Sequence, residues 1–121
     1  MRRVVIVAFP GVQTLDVTGP AEVLRAATKL HPPGYELTVV APEEGPLRTS
    51  TVTIAPDLPL SACRFPIDTL IVAGGTGTRR AEDDEALIAW LRRAARRSRR
   101  VTSVCTGAFL LARAGLLDGR R

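Results

Sequence analysis

A chain of 121 residues that is 45% hydrophobic suits one compact domain, residues 1–121, able to bury about two thirds of its unfolded surface. Its apolar runs are too short to span a bilayer, and Arg2-Arg3 before Val4 to Phe9 only imitates a signal peptide, because no small-residue cleavage site follows. Two cysteines, one histidine and a net charge of +5 exclude a disulfide framework and a zinc site, and leave a cytoplasmic domain with reduced thiols, no membrane segment, no metal and no implied cofactor.

Arg3 to Phe9 is continuously apolar and β-branched, the pattern of a strand buried on both faces, and Pro10-Gly11 ends it. Pro20 suits a first helical turn, and Val23, Leu24 and Ala27 then give a helical period to about Leu30. The loop His31 to Gly34 leads into a second strand, Tyr35 to Ala41, which completes a βαβ unit. Leu47 to Ser50 and Thr51 to Ile54 read as short strands or a hairpin, and Pro56 to Pro66 as irregular chain in which Cys63 is structural. A further buried strand, Ile67 to Ala73, ends in Gly74-Gly75-Thr76-Gly77-Thr78. The next helix runs from about Asp83 to Arg97, with acidic residues at its start and arginines at its end, both in the favourable sense of the helix dipole. Its arginines Arg92, Arg93, Arg96 and Arg97 lie opposite the apolar face of Leu87, Ile88, Leu91, Ala94 and Ala95, with Trp90 at the margin. That is a solvated helix face, without aromatic interleaving or a helix-turn-helix pattern, so direct nucleic-acid binding by this chain is not expected.

The chain then enters Arg100 to Leu111, where a β-branched run meets Cys105 and the pattern changes at once to helical, stopped by Gly115. Ser103-Val104-Cys105-Thr106-Gly107 has the small-x-nucleophile-x-small form of a nucleophile elbow. Gly107 leaves room for that turn, and a helix N-terminus at Cys105 is expected to lower its thiol pKa. Alternating strands and helices predict an α/β three-layer sandwich with a mostly parallel sheet and ligand-binding loops at the carboxyl ends of its strands. Three stretches meet on that edge: the loop and helix start bearing Asp16, the Gly74-Gly75 turn and the Cys105 elbow. A carboxyl beside the thiol can hydrogen-bond it and tune its ionisation, and the amides of Gly75 and Thr106 can receive an oxyanion. Asp16 reads equally well as a turn or capping residue.

The segments Leu15 to Val23, Leu70 to Gly75 and Ser103 to Ala112 resemble the ThiJ/PfpI family of the class I glutamine amidotransferase-like superfamily, in the version found at the N-terminus of AraC-type, GlxA-like transcriptional regulators and in isonitrile hydratases. The resemblance implies a flavodoxin-like sheet, a homodimer, Cys105 at the nucleophile position, Asp16 as the acidic residue set against it, and Gly75 and Thr106 at the backbone oxyanion positions. Two features of the family are missing. The histidine that partners the cysteine in some members would follow a strand beyond the elbow helix, and the paired DNA-binding helix-turn-helix units are not present; His31 matches no family site and reads as a surface residue. The expectation is therefore a domain truncated after the elbow helix, with its last sheet edge partly uncovered. Three functions follow from the resemblance: a small-molecule-sensing domain of a transcriptional regulator whose DNA-binding part lies outside this chain, preferred here; a cysteine-dependent enzyme such as an isonitrile hydratase; and a redox sensor acting through oxidation of Cys105.

Overall fold

The computed structural model describes residues 1–120. Its strands are β1 (Arg2–Val7), β2 (Tyr35–Ala41), β3 (Leu47–Arg48), β4 (Thr53–Ile54), β5 (Leu58–Pro59), β6 (Ile67–Val72) and β7 (Ser98–Ser103). Its helices are α1 (Thr14–Leu30), α2 (Thr78–Glu82), α3 (Glu85–Arg96) and α4 (Gly107–Arg113), with a 3-10 turn at Leu60–Ala62. Five strands form one sheet in the order β5-β2-β1-β6-β7, and every pairing in it is parallel. This is the flavodoxin-like α/β architecture, and the apolar runs of the sequence explain its centre. Val4 to Val7 are at most 1% exposed and Leu70 and Val72 are fully buried, as residues covered on both faces of a parallel sheet must be.

From β1 the chain crosses outward to β2, and from β6 it crosses outward in the opposite direction to β7. Right-handed crossovers therefore place α1 and α3 on opposite faces, and a crevice opens where the strand order reverses, at the carboxyl ends of β1 and β6. The loops there are stitched together by backbone bonds: Gln13 N–H to Gly74 O at 2.8 Å, Gly77 N–H to Gly11 O at 3.1 Å and Val104 N–H to Val72 O at 2.9 Å. The β3–β4 hairpin is tied to the start of α1 through hydroxyls, with Thr14 Oγ1 2.7 Å from that of Thr49 and 2.6 Å from that of Thr51.

Several elements depart from the sequence reading. α1 begins at Thr14, so Pro20 lies inside the helix rather than in its first turn. Pro20 has no N–H for the Asp16 carbonyl, and Gly19 before it has no Cβ to meet the proline ring. The buried face of α1 is Val17, Ala21 and Leu24, while Val23 is 69% exposed. The stretch from Pro56 to Pro66 is not wholly irregular, because Leu58–Pro59 pairs with Val40–Ala41 as the edge of the sheet. Between Gly77 and Asp83 an extra helix, α2, precedes α3, which starts at Glu85 with Asp84 accepting from the Leu87 amide at 3.1 Å. Arg92, Arg93 and Arg96 are exposed as expected of a solvated helix face, whereas Arg97 is half-buried. Arg97 donates to Phe65 O and lies over Trp90, Arg92 donates to Ala114 O, and Arg99 pairs with Asp68 at 2.6 Å. Cys63 is buried in the core, where desolvation pushes its thiol up against the lowering effect of Arg97. Among the described residues β7 has no strand on its outer edge, and no helix is long and apolar enough to cross a membrane.

Candidate functional site

The elbow is built from three backbone constraints. Cys105 has φ of +51°, a left-handed conformation that side chains other than glycine rarely adopt. Such local strain persists where the surroundings over-determine it, and here Val104 is bonded to β6 on one side while α4 starts at Gly107 on the other. Gly107 sits so close to the end of β6 that a Cβ there would lie 2.2 Å from Val72 O, and a Cβ on Gly75, at φ of +131°, would lie 2.4 Å from Gln13 N. These two glycines let the β1, β6 and β7 loops close on one another. The thiol of Cys105 is thereby left exposed at the crevice.

Asp16 reaches this thiol from the first turn of α1. It is 6% exposed, accepts the Gly74 amide at 3.1 Å through Oδ2, and accepts the Cys105 S–H at 3.5 Å through Oδ1. It is therefore neither a cap of its own helix nor a turn residue; its carboxylate spans from the β6 loop to the elbow. That contact sets the direction of the thiol's pKa. The hydrogen bond to Asp16, then its charge, then desolvation all push the Cys105 thiol up from its ordinary value. The lowered thiol pKa expected from the helix start is thus reversed, because a helix end contributes about half a charge at most, whereas Asp16 places a full negative charge against the sulfur.

Gly75 and Thr106 also meet at the crevice, in an arrangement that the sequence did not disclose. The Gly75 amide donates to Thr106 Oγ1 at 2.9 Å, and the same hydroxyl lies 2.9 Å from the buried Thr78 hydroxyl. The Thr106 side chain thus occupies the Gly75 N–H, while the Thr106 amide meets no acceptor among the described residues. Thr78 was legible only as part of a glycine-threonine turn, and its role depends on α2, which the sequence pattern did not reveal. A recess of about 570 Å³ opens over Cys105, lined also by Gln13, Leu15, Asp16 and Thr76. His31 lies far from it, at the amino end of the sheet beside Met1, Arg2 and Tyr35. Among the described residues no three His, Cys, Asp or Glu side chains are grouped to hold a metal ion.

A parallel sheet with a cysteine on the left-handed turn between β7 and α4, bonded to a buried carboxylate, defines a cysteine-elbow α/β domain. The chain belongs to the DJ-1/PfpI family, whose profile matches residues 2–121. It is 40% identical over 119 residues to the uncharacterised protein in the cpoL 5′ region of Streptomyces lividans, covering 98% of this chain and 84% of that one. It is 37% identical to isonitrile hydratase of Pseudomonas putida, covering 93% of this chain but 47% of the hydratase, and 34% identical to the HTH-type transcriptional regulator CdhR of Pseudomonas aeruginosa, covering 93% of this chain and 33% of the regulator. A crystal structure of a ThiJ/PfpI family protein from Pseudomonas syringae superposes with a TM-score of 0.87 at 27% identity, covering 98% of this chain and 48% of that one. The chain thus spans about half the length of the hydratase and of that crystal structure, and a third of the regulator.

Proposed function

We propose that this chain is the ligand-sensing domain of an AraC-type transcriptional regulator, binding a small molecule at the Cys105 recess while the DNA contacts are made by a part of the protein outside this chain. The observation that carries this reading is the Asp16–Cys105 bond. A thiol that donates to a buried carboxylate 3.5 Å away and is raised by it is held as S–H, a polar contact for a ligand rather than a standing nucleophile. The same protonation disfavours the redox reading, since the thiolate is the form that oxidises. The homodimer implied by the family fits the outer face of α1, where Leu15, Val23 and Leu30 are 68%, 69% and 76% exposed, and light scattering on purified protein tests it.

A second reading, hydration of an isonitrile to an N-substituted formamide, draws on the identity to isonitrile hydratase and on the same thiol–carboxylate pair acting as nucleophile and proton acceptor. Two experiments separate the readings. Tandem helix-turn-helix segments in the coding frame after Arg121 support the regulator. Turnover of a model isonitrile by the purified protein, abolished in Cys105→Ala, overturns it in favour of the enzyme.

A further inference from the structure

A second recess, of about 380 Å³, lies beside the first, and the two share Gly75, Thr76 and Thr106. Its distinctive walls are Arg79 and Glu82 from α2 and Phe109 from α4. Phe109 follows the elbow by one turn and is 58% exposed, an aromatic face turned to water beside the site rather than into the core. Arg79 is also exposed. Arg92, Arg97, Arg99, Arg100 and Arg113 each donate to a carbonyl, hydroxyl or carboxylate of the fold. Among the described residues Arg79, like Arg80, Arg93 and Arg96, has no hydrogen-bond or ion-pair partner; what sets it apart from those three is its place in the wall of the recess beside the Cys105 site.

We infer that this recess is a subsite for a carboxylate: the ligand of the Cys105 site is a small organic acid whose anionic end is held by Arg79 and whose apolar body lies on Phe109. The inference rests on the sensing reading only in supposing that a ligand binds at Cys105. An apolar wall with one well-placed cation is the usual composition of a small-molecule site, and a guanidinium presents a planar fork of donors matched to a carboxylate. Glu82, on the same short helix as Arg79, sets the limit on charge. It repels a second negative group, so the site suits a monocarboxylate rather than a dicarboxylate or a phosphate ester.

The test uses the reach of Cys105 itself. Purified protein is alkylated with iodoacetylglycine and, separately, with its uncharged methylamide, and the Cys105 rate for each is read by mass spectrometry. Asp16 slows the anionic reagent in every variant alike, so the informative quantity is the anionic-to-neutral rate ratio compared between variants. In Arg79→Gln that ratio is expected to fall by roughly threefold, the scale of one exposed charge pair, and in Arg79→Lys to fall less. In wild type the ratio should drop as salt is raised, and in Arg79→Gln it should not. Both substitutions are on the surface and leave the fold intact. An unchanged ratio in Arg79→Gln overturns the carboxylate subsite. The sensing reading fails by different observations, a missing helix-turn-helix region or isonitrile turnover, neither of which alters this ratio.

Discussion

The closeness of α4 to the end of β6 makes Gly107→Ala the sharpest test of the elbow. The added methyl would lie 2.2 Å from Val72 O and 2.8 Å from Ala73 O, against an ordinary contact limit near 3.4 Å. Both obstacles are backbone atoms of the central sheet, so α4 must retreat by about an ångström. The Val104 amide bond to Val72 O, 2.9 Å in the native elbow, lies directly in the path of that movement. We expect a loss of about 3 kcal/mol, the upper end for an overpacked site, which in a domain of this size lowers Tm by roughly 9–15 °C. The retreat also draws Cys105 away from Asp16, so the alkylation midpoint of the thiol should move down toward its ordinary value. Thermal unfolding followed by circular dichroism gives the first quantity, and the pH profile of iodoacetamide labelling gives the second. A variant melting within about 2 °C of wild type, with an unmoved labelling midpoint, refutes the claim that this contact sets the elbow.

Asp16→Asn removes the charge that holds the thiol protonated; the folded-state pKa of Cys105 is raised by Asp16, so its labelling midpoint should fall and its rate at neutral pH should rise, and a slower rate would show that the carboxylate activates the sulfur instead. In wild type, iodoacetamide should still modify Cys105 well before Cys63, which is 1% exposed; equal rates would mean that Cys63 is not sealed in the core. Asp84→Ala deletes the acceptor of the Leu87 amide at the start of α3 and should cost about 1 kcal/mol, a Tm lower by roughly 3–5 °C, whereas no change in melting would show the cap to be idle. Asp68 is held at about 2 by the hydrogen bonds from Arg99 and Thr69. Because its folded pKa is depressed, its contribution to stability is complete above the unfolded value of 3.8 and is lost as pH falls through about 2. A carboxyl titration by NMR should show that midpoint, and one near 4 would mean that the Arg99 pair is broken in solution.

What the sequence made legible was whatever depended on local pattern. The β-branched runs at Val4 to Val7 and Leu70 to Val72 could hardly be anything other than buried parallel strands, and the change of period at Cys105 located the elbow within two residues of where β7 ends, at Ser103. Asp16 and Cys105, 89 positions apart, could be set together because right-handed crossovers in such a sheet bring the loops after β1, β6 and β7 to one edge. The errors arose where a tertiary contact overrides a local preference. Pro20 is a strong signal for a helix start, yet the helix begins at Thr14, a turn and more earlier, where the hydroxyls of Thr49, Ser50 and Thr51 gather around Thr14. Local reasoning also gave the wrong sign for the thiol, because a helix end is visible in a pattern of residues whereas the angle at which a distant carboxylate approaches is not. The Thr106 hydroxyl on the Gly75 amide belongs to the same class. It requires Thr78, and Thr78 requires α2, a five-residue helix too short to show any periodicity. The chemistry of this site is therefore set by side-chain contacts between loops, while the sheet beneath them follows from the hydrophobic pattern alone, and substitutions at Asp16, Thr78 or Arg79 should alter what the recess accepts without disturbing the fold that presents it.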